Sequence, residues 1–146
     1  MILCIGTTPA FQRVMFFNQL RLDAVNRAVR TLEGAAGKAV NVAKVLKSVG
    51  ENPLATGFLG GARGDAIQEI LKAKGIATEF VAVQAPTREC VTIIDESSGT
   101  ITELVQESQA VSGADYKNLM KIIERRLPQC RAVVLSGTLA PGGPPE

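Results

Sequence analysis

Residues 34–41, which read Gly-Ala-Ala-Gly-Lys-Ala-Val-Asn, form the segment best suited to bind a small ligand. The pattern predicts a turn that leads into a helix, whose free backbone N–H groups and positive dipole end favour anions and hydroxyl groups. Gly37 allows close approach to the backbone, and Asn41 lies one helical turn later on the same face. An amide there both donates to and accepts from a sugar hydroxyl. A plain helix start with a solvated Asn41 explains the same residues, and spacing alone does not choose between the two.

Two common nucleotide-binding loops do not fit this sequence. A Walker A loop needs an earlier glycine at a fixed distance before Gly37 and a hydroxyl residue where Ala39 stands. The glycine-rich segment at 57–61 does not match G-x-G-x-x-G. An unrelated nucleotide-binding α/β domain is therefore disfavoured.

Three other residues have side chains that suit a phosphorylated ligand. Arg88 opens a predicted strand, and its planar guanidinium binds phosphate through two parallel hydrogen bonds. Arg27 offers the same chemistry, although both arginines also fit an exposed surface position. Ser136 follows a predicted strand directly, and ligands of open α/β sheets collect beyond the carboxyl ends of strands. A simple turn is the alternative explanation for Ser136.

The composition excludes several classes of function. The 146 residues include no histidine, so a Ser-His-Asp triad or a Cys2His2 zinc site is impossible within them. The net charge of +2 gives no electrostatic case for a nucleic-acid or membrane partner. Cys4, Cys90 and Cys130 are widely spaced in apolar segments, which predicts buried free thiols and a reducing, cytoplasmic location. No signal peptide or transmembrane helix is predicted.

Hydrophobic periodicity predicts alternating strands and helices. The predicted helices lie at 38–49, 65–74 and 115–127, and the predicted strands lie at 2–5, 14–17, 28–32, 54–59, 79–83, 90–95, 100–105 and 132–135. This alternation indicates an α/β fold with a mostly parallel sheet and flanking helices. The extra strands near 13–33 and 88–105 predict a small separate β lid. The loop at 141–146 follows a βα unit, so we expect the sheet to be incomplete at the C-terminus.

Three local expectations follow from the same patterns. The first helix is expected to bury the face formed by Val42, Val45, Leu46 and Val49. Asp115 is expected to cap the third helix. The strand at 132–135 is expected to be buried because all of its residues are apolar.

Four segments together resemble the PfkB family of carbohydrate kinases, in its 1-phosphofructokinase and tagatose-6-phosphate kinase branch. Residues 37–43, G-K-A-V-N-V-A, are similar to the signature G-G-K-G-x-N-x-A. Residues 57–61 with Gly64 resemble the G-F-L-G-G block, and Thr87-Arg88 resembles T-R-x-N. Residues 135–142 resemble L-S-G-S-L-P-P-G. Order and spacing agree over nearly the whole chain.

The resemblance implies a ribokinase-like domain, of which residues 1–146 are the N-terminal half, and a β lid that forms a homodimer. It implies phosphoryl transfer from ATP, with Mg²⁺, to a sugar phosphate. By position, the sugar-phosphate site would be formed by Gln12, Arg27, Ala36, Gly37, Asn41, Arg88 and Ser136. The two arginines would hold the phosphate, and Gly37 and Asn41 would orient the hydroxyls.

The family's catalytic base and anion hole lie in a later G-A-G-D motif, which this sequence lacks. The resemblance therefore implies no catalytic or metal-binding residue in this chain, and it implies that ATP and Mg²⁺ bind in the missing half. Gln12 stands where the family has Asp, and Ala36 stands where it has Gly. These departures imply an altered or weakened sugar site. The alternative function is a non-catalytic protein that binds a sugar phosphate or another subunit.

Overall fold

The computed structural model describes residues 1–143, so the last three residues of the predicted C-terminal loop lie outside the described residues. In chain order the elements are β1 (Ile2–Gly6), β2 (Ala10–Phe17), β3 (Arg30–Ala36), α1 (Lys38–Ser48), β4 (Pro53–Leu59), α2 (Gly61–Ala73), β5 (Ala77–Thr78), β6 (Val81–Ala82), β7 (Arg88–Asp95), β8 (Thr100–Val105), α3 (Gly113–Arg126) and β9 (Ala132–Leu135).

The main sheet has the order β5-β4-β1-β9, and its neighbouring strands run parallel. Strand β6 pairs with the carboxyl end of β4. Side chains alternate between the two faces of β1. Ile2 and Cys4 pack in the cluster that includes α1 and α2, whereas Leu3 and Ile5 pack with Ile123 of α3. The predicted parallel sheet with helices on its faces is confirmed.

The second sheet has the order β3-β2-β7-β8 and is called the lid sheet below. Strand β2 is antiparallel to β3 and parallel to β7, and β7 and β8 form an antiparallel hairpin. The turn predicted at residues 34–37 is shorter than expected, because β3 continues to Ala36. The lid sheet therefore joins α1 directly, with Gly37 as the single connecting residue.

The prediction for the buried face of α1 is wrong at two positions. Val45 is 62% exposed and Val49 is 67% exposed. The buried residues are instead Ala39, Val40 and Ala43. A Cβ atom on Gly6 would lie 2.6 Å from the Cβ of Ala39, so the helix packs on the sheet through its smallest side chains.

The prediction that β9 is buried is also wrong. Val133 is 43% exposed and Leu135 is 70% exposed. Strand β9 is the edge strand of the main sheet and pairs only with β1 among residues 1–143. An apolar pattern identifies a strand that is suited to burial, but exposure also depends on the neighbours that cover it.

Two smaller predictions also need correction. Ser112, not Asp115, caps α3: the Ser112 Oγ accepts a hydrogen bond from the Asp115 backbone N–H at 3.1 Å, and Asp115 accepts one from the Ser112 N–H at 2.9 Å. This reciprocal arrangement is a capping box. Of the three free thiols, Cys4 is buried, whereas Cys90 and Cys130 are half-buried. Within residues 1–143 no helix is long and apolar enough to cross a membrane.

Candidate functional site

The loop Thr7-Thr8-Pro9, which follows β1, connects the elements that carry the predicted site residues. Thr7 Oγ1 donates to the carbonyl oxygen of Thr138 at 2.9 Å and accepts from the N–H of Ala140 at 2.9 Å. The Thr8 hydroxyl lies 3.2 Å from that of Thr138. These contacts fasten the loop after β1 to the loop after β9. We call residues 7–9 the junction loop.

Helix α1 begins against the junction loop. Gly37, its N-cap, has a φ of +106°, and a Cβ atom there would lie 2.9 Å from the Cα of Pro9 and 3.3 Å from the carbonyl oxygen of Thr8. Only glycine combines this positive φ with such a close approach. Gly37 and Ser136 line a small cleft at the carboxyl ends of β1 and β9. The structure thus brings these two predicted residues together beside the N-terminus of α1.

A second cleft lies between the lid sheet and α1. Its walls include Gln12 and Ala36 from the lid sheet and Asn41 and Lys44 from α1, around a cavity of about 210 Å³. Lys44 Nζ donates to the carbonyl oxygen of Ala35 at 2.8 Å. Burial lowers the pKa of Lys44, and the nearby charge of Lys74 lowers it further. Three of the predicted site residues therefore share one cleft.

Arg88 reaches the junction loop from the start of β7. Its Nη2 donates to the carbonyl oxygen of Thr8 at 3.1 Å, and its Nε is buried without a hydrogen-bond partner among residues 1–143. Arg88 lines a cleft whose walls also include Thr7, Thr8, Thr87 and Ser108. A guanidinium whose N–H groups are not all paired is suited to bind an anion.

The glycines of the G-F-L-G-G segment explain how Arg88 is placed. A Cβ on Gly60 would lie 2.2 Å from the carbonyl oxygen of Ala85, so only glycine admits the loop before β7 at this distance. The Gly60 N–H donates to the Thr87 hydroxyl at 3.0 Å, and Thr87 is buried. Arg63 of α2 donates to the Thr87 carbonyl oxygen at 3.3 Å. These contacts fix the residue that precedes Arg88.

Arg27 is not brought together with the other six predicted residues. It is exposed in the loop that connects β2 to β3. Ala10 pairs with Ala36 at the site end of these strands, whereas Phe16 pairs with Arg30 at the loop end. Six residues of strand separate the two ends, which is roughly 20 Å at about 3.3 Å per residue.

Sequence reasoning missed Thr8 and Lys44 as members of the site, whereas Thr138 follows the same strand as Ser136 and was selected by the same rule. Thr8 follows strand β1, so that rule would also have selected it. Lys44 lies one turn after Asn41 on the same helix face, which was a usable signal. Among residues 1–143, no group of three or more His, Cys, Asp or Glu side chains is arranged to hold a metal ion.

Comparison with known proteins places this geometry in a family. The family model of the pfkB family carbohydrate kinases matches residues 1–146. The chain is similar to a protein described as a possible 1-phosphofructokinase from Thermotoga maritima, with 32% sequence identity and a TM-score of 0.91, over 97% of this chain and 46% of that chain.

More distant structures show the same fold. Phosphofructokinase-2 from Escherichia coli, in complex with fructose-6-phosphate, has 22% identity and a TM-score of 0.86 over 97% of this chain and 46% of that chain. Ribokinase from Giardia lamblia has 20% identity and a TM-score of 0.73 over 92% of this chain and 44% of that chain. The chain thus spans less than half the length of these proteins. With its ribokinase-like α/β fold, the chain belongs to the pfkB family of carbohydrate kinases.

Proposed function

We propose that this chain provides the acceptor side of an ATP-dependent sugar-phosphate kinase of the 1-phosphofructokinase or tagatose-6-phosphate kinase type. The observation that carries the proposal is the position of Arg88, which meets the junction loop at the Thr8 carbonyl, 3.1 Å away. The same loop touches Gly37, the N-cap of α1. A phosphate group and sugar hydroxyls therefore have binding groups within one continuous region.

In this proposal Arg88 binds the phosphate already present on the sugar. It would do so through N–H groups of its fork that the contact with the Thr8 carbonyl does not use. The cleft beside Gln12, Ala36 and Asn41 would hold the sugar hydroxyls, since amide groups both donate and accept. Gly37 and Ser136 would border the sugar at the carboxyl edge of the main sheet. Arg27 stays a prediction as a second phosphate ligand.

The phosphoryl donor is proposed to be ATP with Mg²⁺, which would supply the transferred group and neutralise its charge. The chain covers 46% of the similar Thermotoga maritima protein. We therefore propose that donor-side groups come from sequence that corresponds to the rest of the longer relatives, and that residues 1–146 act as the N-terminal half of one ribokinase-like domain. The lid strands of this domain would lie near residues 13–33 and 88–105. The kinase would be a cytoplasmic protein.

The lid sheet is proposed to form a homodimer contact. All six residues of β8 are exposed, and Ile101 and Val105, which are 67% and 52% exposed, lie on the same face of the strand. On β3, Leu32 is 49% exposed. A second copy of the sheet would cover apolar area that a four-stranded sheet cannot bury alone.

Calorimetric titration tests the proposed binding. Fructose 1-phosphate and tagatose 6-phosphate are expected to bind, and the unphosphorylated sugars are expected to bind much more weakly because they carry no phosphate group for Arg88 to bind. Equal affinity for phosphorylated and unphosphorylated sugars would contradict the proposal. The non-catalytic alternative predicts the same binding, so a second experiment is needed to distinguish the two functions. Residues 1–146 are joined to a donor half from a related kinase, and phosphoryl transfer by the joined protein would favour the kinase.

A further inference from the structure

Three polar side chains from adjacent lid strands form a hydrogen-bonded line across the lid sheet. Gln12 Nε2 on β2 donates to the hydroxyl of Thr92 on β7 at 2.8 Å. The Thr92 hydroxyl in turn donates to Oε1 of Glu103 on β8 at 3.3 Å. Thr92 and Glu103 stand opposite each other in the strand register. This line, Gln12–Thr92–Glu103, begins at the cleft beside α1 and ends at the exposed edge strand.

The carboxylate at the end of the line sets the direction of both hydrogen bonds. An ionised Glu103 only accepts, so the single hydrogen of the Thr92 hydroxyl is used in that contact. The Thr92 oxygen can then only accept from the NH₂ group of Gln12, which also donates to the carbonyl oxygen of Arg13 at 3.5 Å. The Gln12 Oε1 therefore points away from Thr92, and it has no hydrogen bond among residues 1–143. Gln12 lines the cleft together with Ala36 and Asn41.

We propose that Glu103, acting through Thr92, is a positioning residue that holds the Gln12 amide with its Oε1 available to a hydroxyl group of the bound sugar phosphate. The identity of this ligand rests on the function proposed above. The neutral Oε1 of Gln12 then accepts a hydrogen bond from the sugar. The negative charge lies two side chains away, on Glu103.

The line also explains why an amide suits position 12 in this chain. An ionised aspartate there could not donate to the Thr92 oxygen, whose single hydrogen is already used by Glu103, so the hydrogen bond between positions 12 and 92 would be lost. The two negative charges would also repel each other across the lid sheet. Gln12 and Glu103 are therefore a matched pair. A Gln12→Asp replacement should bind sugar phosphate well only when Glu103→Gln accompanies it.

The orientation of the Gln12 amide can be measured without any ligand. The side-chain NH₂ resonances of Gln12 are assigned in an NMR spectrum by their loss in Gln12→Leu. Glu103→Gln and Thr92→Val are expected to shift or broaden these resonances, because the donor direction is no longer fixed. Glu96→Gln, an exposed glutamate in the same hairpin, is the matched control and should leave them in place. Unchanged Gln12 resonances in both test variants would overturn the inference.

Calorimetry tests the consequence for recognition, with fructose 1-phosphate and inorganic phosphate as probes. Glu103→Gln should weaken fructose 1-phosphate binding roughly three- to tenfold, the range of one neutral hydrogen bond, and leave inorganic phosphate unchanged. A general loss of structure would weaken both probes. Thr92→Ser should bind as the unaltered protein does, because it keeps the hydroxyl.

The possible failures are distinguishable. Equal fructose 1-phosphate affinity in Glu103→Gln and the unaltered protein would overturn the positioning role while the proposed function stands. An unaltered protein that does not bind either sugar phosphate would overturn the proposed function, and the NMR measurement would still decide how the Gln12 amide is held.

Discussion

Arg88 donates a hydrogen bond to the carbonyl oxygen of Thr8, a residue 80 positions earlier in the chain, at 3.1 Å. This contact joins the first residue of a lid strand to the loop that follows the central strand of the main sheet. It uses Nη2 of the guanidinium and leaves other N–H groups of the fork for a ligand. The lid sheet and the main sheet thus meet at a guanidinium group, which is chemically suited to bind phosphate.

Replacement of Arg88 by Ala should weaken sugar-phosphate binding roughly ten- to hundredfold, because hydrogen bonds to charged groups contribute about 1.5–3 kcal/mol. Arg88→Lys keeps the charge without the planar fork and should lose less. Arg21→Ala is the control, since the exposed Arg21 side chain hydrogen-bonds only Gln19 among residues 1–143. Calorimetric titration with fructose 1-phosphate and with fructose gives the comparison. An equal loss for both ligands would contradict a phosphate-binding role.

The contact between Gly37 and the junction loop should be costly to disturb. Gly37→Ala places a Cβ 2.9 Å from the Cα of Pro9 at a residue with a φ of +106°, and strain of this kind costs about 1–3 kcal/mol. Gly34→Ala is the matched control, because a Cβ there meets no atom within 4 Å, and it should change the free energy of unfolding by less than about 0.5 kcal/mol. Denaturant titration measures both. Similar losses in the two variants would refute the packing argument.

The sequence predicted elements well where the signal was local. The β8 bounds at 100–105 and the β9 bounds at 132–135 agree with the structure, because turn residues and apolar runs mark them. It failed where neighbours decide the outcome. Val45 was expected to be buried because it is apolar, but α1 packs closely on Gly6 through Ala39 and buries Val40 and Ala43 instead.

The same distinction applies to the candidate site. Gly37, Asn41 and Ser136 could be selected because each follows a local rule about helix starts or strand ends. The line from Gln12 to Thr92 and Glu103 could not, because it depends on the side-by-side order of β2, β7 and β8. That order becomes visible only once strands distant in sequence are paired.

Asp95 should give the fold an acid-sensitive contribution to stability. Its carboxylate accepts from the Ser97 hydroxyl at 2.8 Å and from the Ser97 N–H at 3.0 Å. The Ser97 hydroxyl is the main reason that the pKa of Asp95 is lowered, and the partial burial of the carboxyl opposes this effect. A lowered pKa in the folded state means that the contribution is present above about pH 4, the ordinary range of Asp, and is lost as the pH falls further.

The measurement is acid unfolding of the unaltered protein and of Asp95→Asn. The difference in their free energies of unfolding should shrink as the pH falls from about 5 to 2. Ser97→Ala should reduce the same pH dependence, since it removes the main cause of the lowered pKa. A difference that is constant across this range would show that Asp95 does not contribute in this way.

Association through the lid sheet can be tested on its edge strand. Ile101 is 67% exposed on β8, and Ile101→Glu should shift the protein toward a monomer in light scattering. Thr102→Glu is the matched control, because the next residue of a strand points to the opposite face. A protein that is strictly monomeric at high concentration without any substitution would count against the lid contact.

The last prediction is that the 146-residue chain alone does not transfer a phosphoryl group to any sugar. It offers acceptor-side groups at Gly37, Asn41 and Arg88, but the family resemblance places the base and anion hole in a G-A-G-D segment that the sequence does not contain. Base catalysis and charge stabilisation supply most of the rate in such reactions, so acceptor binding without them should give no turnover. A coupled ADP-release assay with ATP, Mg²⁺ and fructose 1-phosphate or tagatose 6-phosphate measures this. The control is sugar-phosphate binding in the same sample, which would show that the site is folded. Robust turnover by material whose intact mass matches 146 residues would refute the prediction.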